Sequence, residues 1–348
     1  MNIDTVFFNR TPSNNYDPNS QKYLLNRLLD IKQNKRKKNL ISCDDIDIDD
    51  INYIFQLIQT IQQNIHKNIY GYDKTILTNV FFQSSTRTSI SFEAAINKLG
   101  GKCINFNKEY SSINKGETIQ DTIKTLSLYS DIIVIRHPDK KVIEDAINVS
   151  NIPIINAGNG YDEHPTQALI DLYTIYKKFG EDFKSKSILF TGDIKNSRTI
   201  RSLVKLLNLY PDIKINFLPF KSSHPDNNYI ENICNIHNIN KKDIIINDIN
   251  DIQHNKYDIV YCTRYQGGED VSQIIGSNND SHLFTIDNNF VNQLNEDSII
   301  MHAFPRNKEL HTNVDDNHRN YYFKQMENSV IVRMAIIEFL INEGKGYL

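Results

Sequence analysis

Short apolar runs alternate with segments that carry apolar residues at helical spacing along most of this chain. Residues 76–82 form an apolar run that predicts a buried strand. A polar turn follows, and residues 91–99 then place apolar residues on one side of a helix that ends at Gly100. A strand, a polar turn and a helix in this order predict a βα unit, and the rest of the chain is organised around it.

The same alternation continues through the first half of the chain. Its continuous apolar strands, joined by helices, are typical of a parallel sheet that helices cover. Further strands are predicted at residues 103–106, 131–136 and 153–157, and helices at residues 50–66, 118–129, 142–149 and 164–179.

A second series of strands and helices follows helix 164–179, which is the natural connector between the two halves. The predicted fold is therefore α/β, with two domains that each contain a mostly parallel sheet flanked by helices. A chain of 348 residues suits two such domains. The pattern alone does not decide to which domain the last helix belongs. The second series has predicted strands at residues 188–191, 213–218, 244–246, 259–263 and 299–303, and predicted helices at residues 197–207, 229–237 and 330–341.

Composition narrows the class of protein without indicating a function. Hydrophobic residues make up 39% and charged residues 23%, which fits a soluble globular protein, and a net charge of −3 favours neither nucleic acid nor a membrane surface. No apolar run approaches the roughly 18 residues of a membrane span, and no signal-peptide core is visible. The four cysteines lack metal-ligand spacing and indicate reduced thiols, so we expect a cytoplasmic protein.

Residues 1–38 form a polar N-terminal extension with a basic run at residues 35–38. We interpret this extension as a mobile arm with one weak helix near residues 23–31. The alternative is a targeting remnant or a partner-binding arm, and a removed organelle address would change the expected compartment.

The polar turn after the first strand is a candidate anion site. The free N–H groups and positive dipole end of the following helix, the hydroxyls of residues 84–88 and the Arg87 guanidinium all point to one place. Together these groups predict a bound phosphate.

More cationic and polar side chains follow other predicted strands. Ligands of open parallel sheets bind beyond the carboxyl ends of the strands. Taken singly, each of these residues also fits a solvated strand end, a helix cap or a loop lysine. Four arginines are too many for a neutral ligand, so the set predicts two anionic groups or two anionic ligands. The set comprises Arg87, Arg136, Arg198 and Arg264, with His164, Gln167, Gln266 and Lys115.

Seven short segments carry a resemblance to a known family. They read STRTSISFE, KGET, RHP, HPTQALID, GDIKNSRT, TRYQ and HAFPR, in this order. From about Leu40 to the C-terminus the chain resembles the catalytic chains of the aspartate carbamoyltransferase (aspartate transcarbamylase) family. The STRT and HPTQ segments are shared with ornithine carbamoyltransferases. Arg198, Arg264 and Gln266 suit the two carboxylates of aspartate, and the DxxxSMG and HCLP segments of the ornithine enzymes are absent.

The resemblance implies transfer of the carbamoyl group of carbamoyl phosphate to the amine of L-aspartate, in pyrimidine biosynthesis, without a metal, a cofactor or a covalent intermediate. It implies a carbamoyl-phosphate-binding domain at residues 39–170, completed by a C-terminal helix at residues 328–348, and an aspartate-binding domain at residues 171–327. It also implies a homotrimer whose active sites are shared between subunits, with no nucleic-acid or membrane partner.

The resemblance assigns the carbamoyl-phosphate site to strand ends, one loop and the last helix. The residues implied for the phosphate are Ser85, Thr86, Arg87, Thr88 and Arg333. Those implied for the carbamoyl group are Thr88, Arg136 and His164 at its oxygen, Gln167 at its amide, and Ala303 and Phe304 through their backbone carbonyls.

The remaining implied residues concern aspartate and the neighbouring subunit. Arg198, Arg264 and Gln266 would bind aspartate. Ser111 and Lys115 would reach into the site of a neighbouring subunit, where Lys115 would serve both substrates. The residues implied in catalysis itself are Arg87, Thr88, Lys115, Arg136 and His164.

Two positions depart from the family pattern. The family loop usually reads HPLPR, whereas Ala303 and Phe304 stand here, and the lost proline predicts a looser loop and an altered affinity for aspartate. Asn114 stands where many relatives have a second lysine.

Two alternatives remain compatible with the fold. One is a carbamoyltransferase with a different amino acceptor, and the other is a non-catalytic homologue that binds a phosphate ligand. A nucleotide-binding protein is disfavoured, because the Walker and Rossmann glycines are absent.

Overall fold

The computed structural model describes residues 39–64, 71–253, 256–266 and 284–344. The predicted N-terminal extension, residues 1–38, lies outside this part of the chain, as do the last four residues of the predicted C-terminal helix. Among the described residues, no helix combines the length and apolar character needed to cross a membrane.

Two separate four-stranded sheets form the framework, and all their strands run parallel. The predicted α/β architecture is therefore confirmed. The first sheet has the strand order β2-β1-β3-β4 and the second the order β6-β5-β7-β8. The strands are β1 Ile76–Phe81, β2 Lys102–Phe106, β3 Ile132–His137, β4 Ile154–Asn159, β5 Ser187–Gly192, β6 Lys214–Pro219, β7 Ile259–Thr263 and β8 Ile299–His302.

Helices connect successive strands and cover the faces of both sheets. The α-helices are α1 Ile48–Asn64, α2 Thr86–Lys98, α3 Ile119–Tyr129, α4 Lys140–Val149, α5 Pro165–Phe179, α6 Arg198–Leu207, α7 Asn227–His237, α8 Lys241–Ile244, α9 Asn288–Val291 and α10 Tyr322–Gly344. The last helix, α10, packs against α1, α2 and α5. One hydrophobic cluster continues from Leu77 on β1 through Leu169 on α5 to Ile188 on β5, so α5 joins the cores of the two sheets.

The prediction of a strand at residues 244–246 is wrong. Residues Lys241–Ile244 form the short helix α8, and only Ile245 pairs with the second sheet, through a single bridge to Phe217. The N–H of Ile246 donates to the Phe217 carbonyl at 2.8 Å, which completes the contact. Three consecutive isoleucines are typical of a buried strand. Here Ile245 forms one bridge, and Ile244 packs in the hydrophobic core.

The strand order creates an equivalent crevice in each sheet. From β1 the chain moves outward to β2 and then returns to the other side of β1 to form β3. The order reverses in the same way around β5, which lies between β6 and β7. Ligands of parallel sheets bind at such reversal points, beyond the carboxyl ends of the strands. A ligand site is therefore expected among the residues that follow β1, β3, β5 and β7.

Gly192 allows the close approach of β5 and β7 at this end of the sheet. Its φ of +106° is a conformation that residues with side chains rarely adopt, and a Cβ atom there would lie 2.0 Å from the Thr263 carbonyl oxygen. The backbone beyond β5 and β7 could not keep its separation with any other residue at this position.

We expect Gly192→Ala to lower the free energy of unfolding by about 2–4 kcal/mol, because the new methyl group forces the strand ends apart. Denaturant unfolding followed by circular dichroism measures the change. Gly180→Ala is the matched control, since Gly180 also has a positive φ, +60°, but a Cβ there would meet nothing within 4 Å. Equal losses in the two variants would show that backbone conformation alone, and not the contact with Thr263, determines the cost.

Candidate active site

A cavity of about 680 Å³ lies where the carboxyl ends of the two sheets face each other. It collects most of the residues that the sequence singled out. Its lining includes Ser85, Thr86, Arg87, Thr88, Arg136, His164, Gln167, Arg198, Arg264, Gln266, Ala303, Phe304 and Arg333.

The turn after β1 forms the start of α2. The helix begins at Thr86, five residues earlier than predicted, because its first turn faces the cavity and lacks the apolar residues that mark its later turns. Ser85 precedes the helix, but its side chain makes no capping bond. The Ser85 hydroxyl instead accepts a hydrogen bond of 3.0 Å from Nη1 of Arg136. The first N–H groups of α2 are therefore not capped by Ser85, as an anion site requires.

Five guanidinium groups line the cavity, and none of the described lining residues is an aspartate or a glutamate. Burial, together with repulsion from the nearby Arg198 and Arg87, lowers the pKa of Arg136 to about 9. Burial likewise lowers the pKa of Arg198 to about 10, with Arg264 as its repelling neighbour. No carboxylate offsets either shift, so the cavity favours anions.

Arg333 is the most deeply buried of the five cations. It projects from α10 with 2% of its surface exposed, and its Nε has no hydrogen-bond partner. Its guanidinium carbon lies 4.9 Å from the centre of the Phe92 ring. Burial lowers its pKa to about 9. Arg333 lines the cavity, and a buried N–H without a partner is unfavourable until another group accepts it.

His164 precedes the first residue of α5 and is held from both sides. Its backbone N–H donates to the Ser202 hydroxyl at 2.8 Å, and its Nδ1 lies 3.3 Å from the Thr166 hydroxyl. Burial lowers the pKa of His164 well below its usual range, and Arg198, Arg136 and Arg333 add to this effect. The imidazole is therefore neutral at pH 7 and only weakly basic.

Gly158 makes room for two of these side chains. Its φ is +111°, and a Cβ atom would lie 3.1 Å from Cζ of Arg198 and 3.3 Å from Cδ2 of His164. Arg198 also donates through Nη1 to the Gly160 carbonyl at 2.7 Å, which joins the two halves of the cavity.

The loop after β8 is positioned by His302. The Phe304 N–H donates to Nδ1 of His302 at 2.8 Å, so the ring proton lies on Nε2, which donates to Glu309 at 2.9 Å. Phe304 has a φ of +54° and packs against Tyr322. The loop at Ala303 and Phe304 thus reaches the cavity despite its departure from the family sequence.

Two predicted site residues do not reach the cavity of their own chain. Lys115 is the last residue of the short 3-10 turn Ser112–Lys115. Ser111 lies between this turn and the preceding one, Lys108–Tyr110. The Ser111 hydroxyl donates to the Lys108 carbonyl, and Lys115 is exposed.

Sequence analysis missed a buried network behind the cavity. The Asp171 carboxylate, fully buried on α5, accepts hydrogen bonds from Gln167, Tyr261 and Gln325. Asp193, also fully buried, accepts from the Gln266 N–H at 2.7 Å. Both carboxylates lie in segments that carry the family resemblance, HPTQALID and GDIKNSRT. For Asp171, the signal in the sequence is a charged residue on the apolar side of helix α5.

No group of histidine, cysteine, aspartate and glutamate within the described residues is arranged to hold a metal ion.

The paired parallel sheets and the cationic cavity between them define a class of protein that binds small anions. Residues 38–177 match the family described as "Aspartate/ornithine carbamoyltransferase, carbamoyl-P binding domain", and residues 184–340 match its "Asp/Orn binding domain". The chain belongs to the aspartate/ornithine carbamoyltransferase family of enzymes.

Individual relatives narrow this assignment to the aspartate branch. The chain is 39% identical over 304 residues to the "Aspartate carbamoyltransferase catalytic subunit" of Clostridium novyi, a match that covers 86% of this chain and 96% of that protein. It is 36% identical over 316 residues to the "Multifunctional protein ura1" of Schizosaccharomyces pombe, covering 86% of this chain and 13% of that protein. The resemblance stated from the sequence is confirmed.

A solved structure agrees with both matches. Aspartate transcarbamoylase of Trypanosoma cruzi, in complex with carbamoyl phosphate and aspartate, superposes with a TM-score of 0.77 at 36% identity. The match covers 87% of this chain and 96% of that chain.

The buried Asp171 predicts how stability changes with pH. Burial raises the pKa of Asp171 to about 7, above the roughly 3.9 of an unfolded aspartate. The folded chain therefore binds more protons than the unfolded chain between about pH 4 and pH 7, and its stability falls as the pH rises through this range.

Asp171→Asn removes this dependence. The difference in Tm, variant minus wild type, should be larger at pH 8 than at pH 5 when both are measured by scanning calorimetry. A difference that is the same at both pH values would contradict the shifted pKa.

Proposed function

We propose that this protein transfers the carbamoyl group of carbamoyl phosphate to the amine of L-aspartate, which yields N-carbamoyl-L-aspartate and phosphate for pyrimidine synthesis. The observation that carries the proposal is the cavity with five guanidinium groups and no carboxylate among its described lining residues. Two of these arginines, Arg198 and Arg264, follow strands of the second sheet, and the others belong to the first sheet and α10. The distribution suits two anionic substrates side by side.

The first substrate occupies the side of the first sheet. Its phosphate binds the start of α2, the hydroxyls of Ser85, Thr86 and Thr88, and the guanidinium of Arg87. Arg333, on α10, donates to the phosphate through its unpaired Nε–H. This assignment rests on the uncapped helix start and on the buried unpaired donor of Arg333.

The carbamoyl group lies between Arg136, His164 and Thr88. Each of these side chains can donate a hydrogen bond to the carbonyl oxygen, and Gln167 and the carbonyls of Ala303 and Phe304 receive the amide. His164 acts as a donor and not as a general base, because a buried imidazole with a lowered pKa accepts a proton poorly.

Aspartate binds on the side of the second sheet. Its two carboxylates pair with Arg198 and Arg264, and Gln266 adds a polar contact. The Asp193 carboxylate acts on this group indirectly, since it holds the backbone N–H of Gln266.

The reaction needs only these positioned groups. The neutral amine of aspartate attacks the carbamoyl carbon, and Arg136, His164 and Thr88 stabilise the negative oxygen of the tetrahedral intermediate. The bond from carbon to the phosphate oxygen then breaks, and the departing phosphate takes the proton from the new carbamoyl nitrogen. Holding the two substrates in contact supplies much of the remaining acceleration.

Lys115 and Ser111 complete the site from a neighbouring subunit in this proposal. Lys115 is exposed and lies away from the cavity of its own chain. Large hydrophobic side chains on α2, on β2, in the loop after β2 and on α3 are exposed as well, which suits contact between copies of the chain. They are Ile90, Ile104, Tyr110, Leu128 and Tyr129. We therefore propose a homotrimer with shared active sites.

The proposed domains follow from the same reasoning. Residues 39–170 with the C-terminal helix 328–348 bind carbamoyl phosphate, and residues 171–327 bind aspartate. The contacts of α10 with α1 and α2 support this division. The four free cysteines support a reducing compartment, which we take to be the cytoplasm.

The purified protein should form N-carbamoyl-aspartate from carbamoyl phosphate and L-aspartate, and no citrulline from L-ornithine, because Arg198 and Arg264 require an acceptor with two carboxylates. Mass spectrometry of the products measures both reactions. Arg198→Ala is the matched variant, and we expect it to raise KM for aspartate by about 100-fold while phosphate still binds. Citrulline formation would refute the assignment of aspartate as the acceptor. Absence of both products would refute the proposed carbamoyltransferase activity.

Mixed trimers test the shared site. Lys115→Ala and Arg87→Ala should each be nearly inactive alone, since every site then lacks one cation. Co-expressed and randomly mixed, they should recover about one quarter of wild-type activity, because about one site in four then combines two intact contributions. Mass spectrometry confirms that hybrid trimers have formed. Hybrid trimers without activity would show that each chain builds its site alone.

A further inference from the structure

Asp171 sits directly behind the cavity, where it joins three elements. It lies on α5 with 0% of its surface exposed. Its Oδ1 accepts from Nε2 of Gln167 at 2.7 Å and from Nε2 of Gln325, on α10, at 2.6 Å. Its Oδ2 accepts from the hydroxyl of Tyr261, on β7, at 2.8 Å. One carboxylate therefore contacts a cavity residue, the last helix and the second sheet.

The chemistry of a carboxylate determines how both glutamines are turned. Above its pKa of about 7 the Asp171 carboxylate has no proton to donate, so each glutamine must then present its NH₂ group to Oδ1. Gln325 provides an independent check, because its Oε1 accepts the N–H of His302 at 3.0 Å and a backbone N–H can only donate. Gln325 therefore donates to Oδ1 of Asp171 through its NH₂ group.

Gln167 keeps its carbonyl oxygen for a ligand. One N–H of its NH₂ group is engaged by Asp171, and within the described part of the chain no donor contacts its Oε1. Gln167 lines the cavity and is half-buried. Its carbonyl oxygen is therefore an acceptor available to a ligand N–H.

We propose that Asp171 is a positioning residue that turns the Gln167 carbonyl oxygen toward the cavity and so makes the site select a ligand with an amide N–H over one with a methyl group. The inference rests on the proposed function for the identity of that ligand, the carbamoyl group. A site built to bond an N–H discriminates against an analogue without it, since the acceptor is then left unpaired.

The role requires an acceptor at Oδ1 and does not require charge. In Asp171→Asn, the amide oxygen can still serve both glutamines, and the amide NH₂ can donate to the Tyr261 hydroxyl, which accepts as well as donates. In Asp171→Leu the side chain has similar length and no acceptor. Tyr261→Phe removes a donor from Oδ2 and leaves Oδ1 untouched. The three variants separate the effect of the Oδ1 acceptor from the effects of the negative charge and of the hydrogen bond from Tyr261.

The probes are phosphonoacetamide and phosphonoacetone, two stable phosphonates that differ only in an NH₂ group against a CH₃ group. Isothermal titration calorimetry gives the Kd of each, and the ratio of the two constants measures discrimination. Inorganic phosphate is titrated in parallel, because its Kd reports on the phosphate half of the site alone.

The wild type should bind phosphonoacetamide at least about tenfold more tightly than phosphonoacetone. Asp171→Asn and Tyr261→Phe should keep this ratio within about threefold, and Asp171→Leu should bring it close to one with an unchanged Kd for phosphate. If the leucine variant does not fold, Asp171→Ala removes the acceptor without adding an apolar branch.

Three results would overturn the proposal. They are a wild type without discrimination, a folded leucine or alanine variant that keeps the wild-type ratio, and an asparagine variant of native Tm that loses it. Failure of the wild type to bind either phosphonate would instead refute the proposed function. Turnover with aspartate plays no part in these measurements, so a wrong acceptor assignment leaves the test intact.

Discussion

The arrangement of this protein depends on positive charges that are held together with no carboxylate among the described residues that line their cavity. Arg136, Arg198 and Arg333 are all depressed in pKa by burial, and in the described part of the chain no carboxylate lines their cavity. Such a cluster is unfavourable in the free protein, and rigid elements keep it in place, because the side chains begin at a strand end, a helix start and a helix interior. In the proposed function, a phosphate and a dicarboxylate would relieve this repulsion, so part of the binding free energy would come from strain that folding has already imposed.

The sequence indicates this site well because its residues follow apolar strands. Arg136 and Arg264 could be placed at the carboxyl ends of strands from the pattern alone, and the strand order then brings them together. The pattern was less informative where residues face the ligand. The first turn of α2 lacks apolar periodicity, so the helix was expected to begin later than Thr86. The sites of Ser111 and Lys115 remain predictions, since they concern a second copy of the chain.

Buried polar networks were the part that sequence reasoning did not reach. Asp171 lies among apolar residues of α5, where a periodicity argument registers only the helix. Its partners Tyr261 and Gln325 are 90 and 154 residues away along the chain, a relation that only the folded structure reveals. Through Gln325 the same network continues to the backbone of His302 and so to the loop at Phe304. Residues that line the cavity and the buried residues that hydrogen-bond to them thus form one connected set.

The bond between Arg198 and the Gly160 carbonyl gives the cavity a mechanical property. Arg198 belongs to the start of α6 after β5, whereas Gly160 follows β4, so this side chain crosses from one sheet to the other. The bond uses one guanidinium N–H group and leaves the others for an anion. In the proposed function, an acceptor molecule held by Arg198 would therefore also be linked to the half of the protein that holds the donor molecule, and this one side chain would help to set the separation of the two reactants.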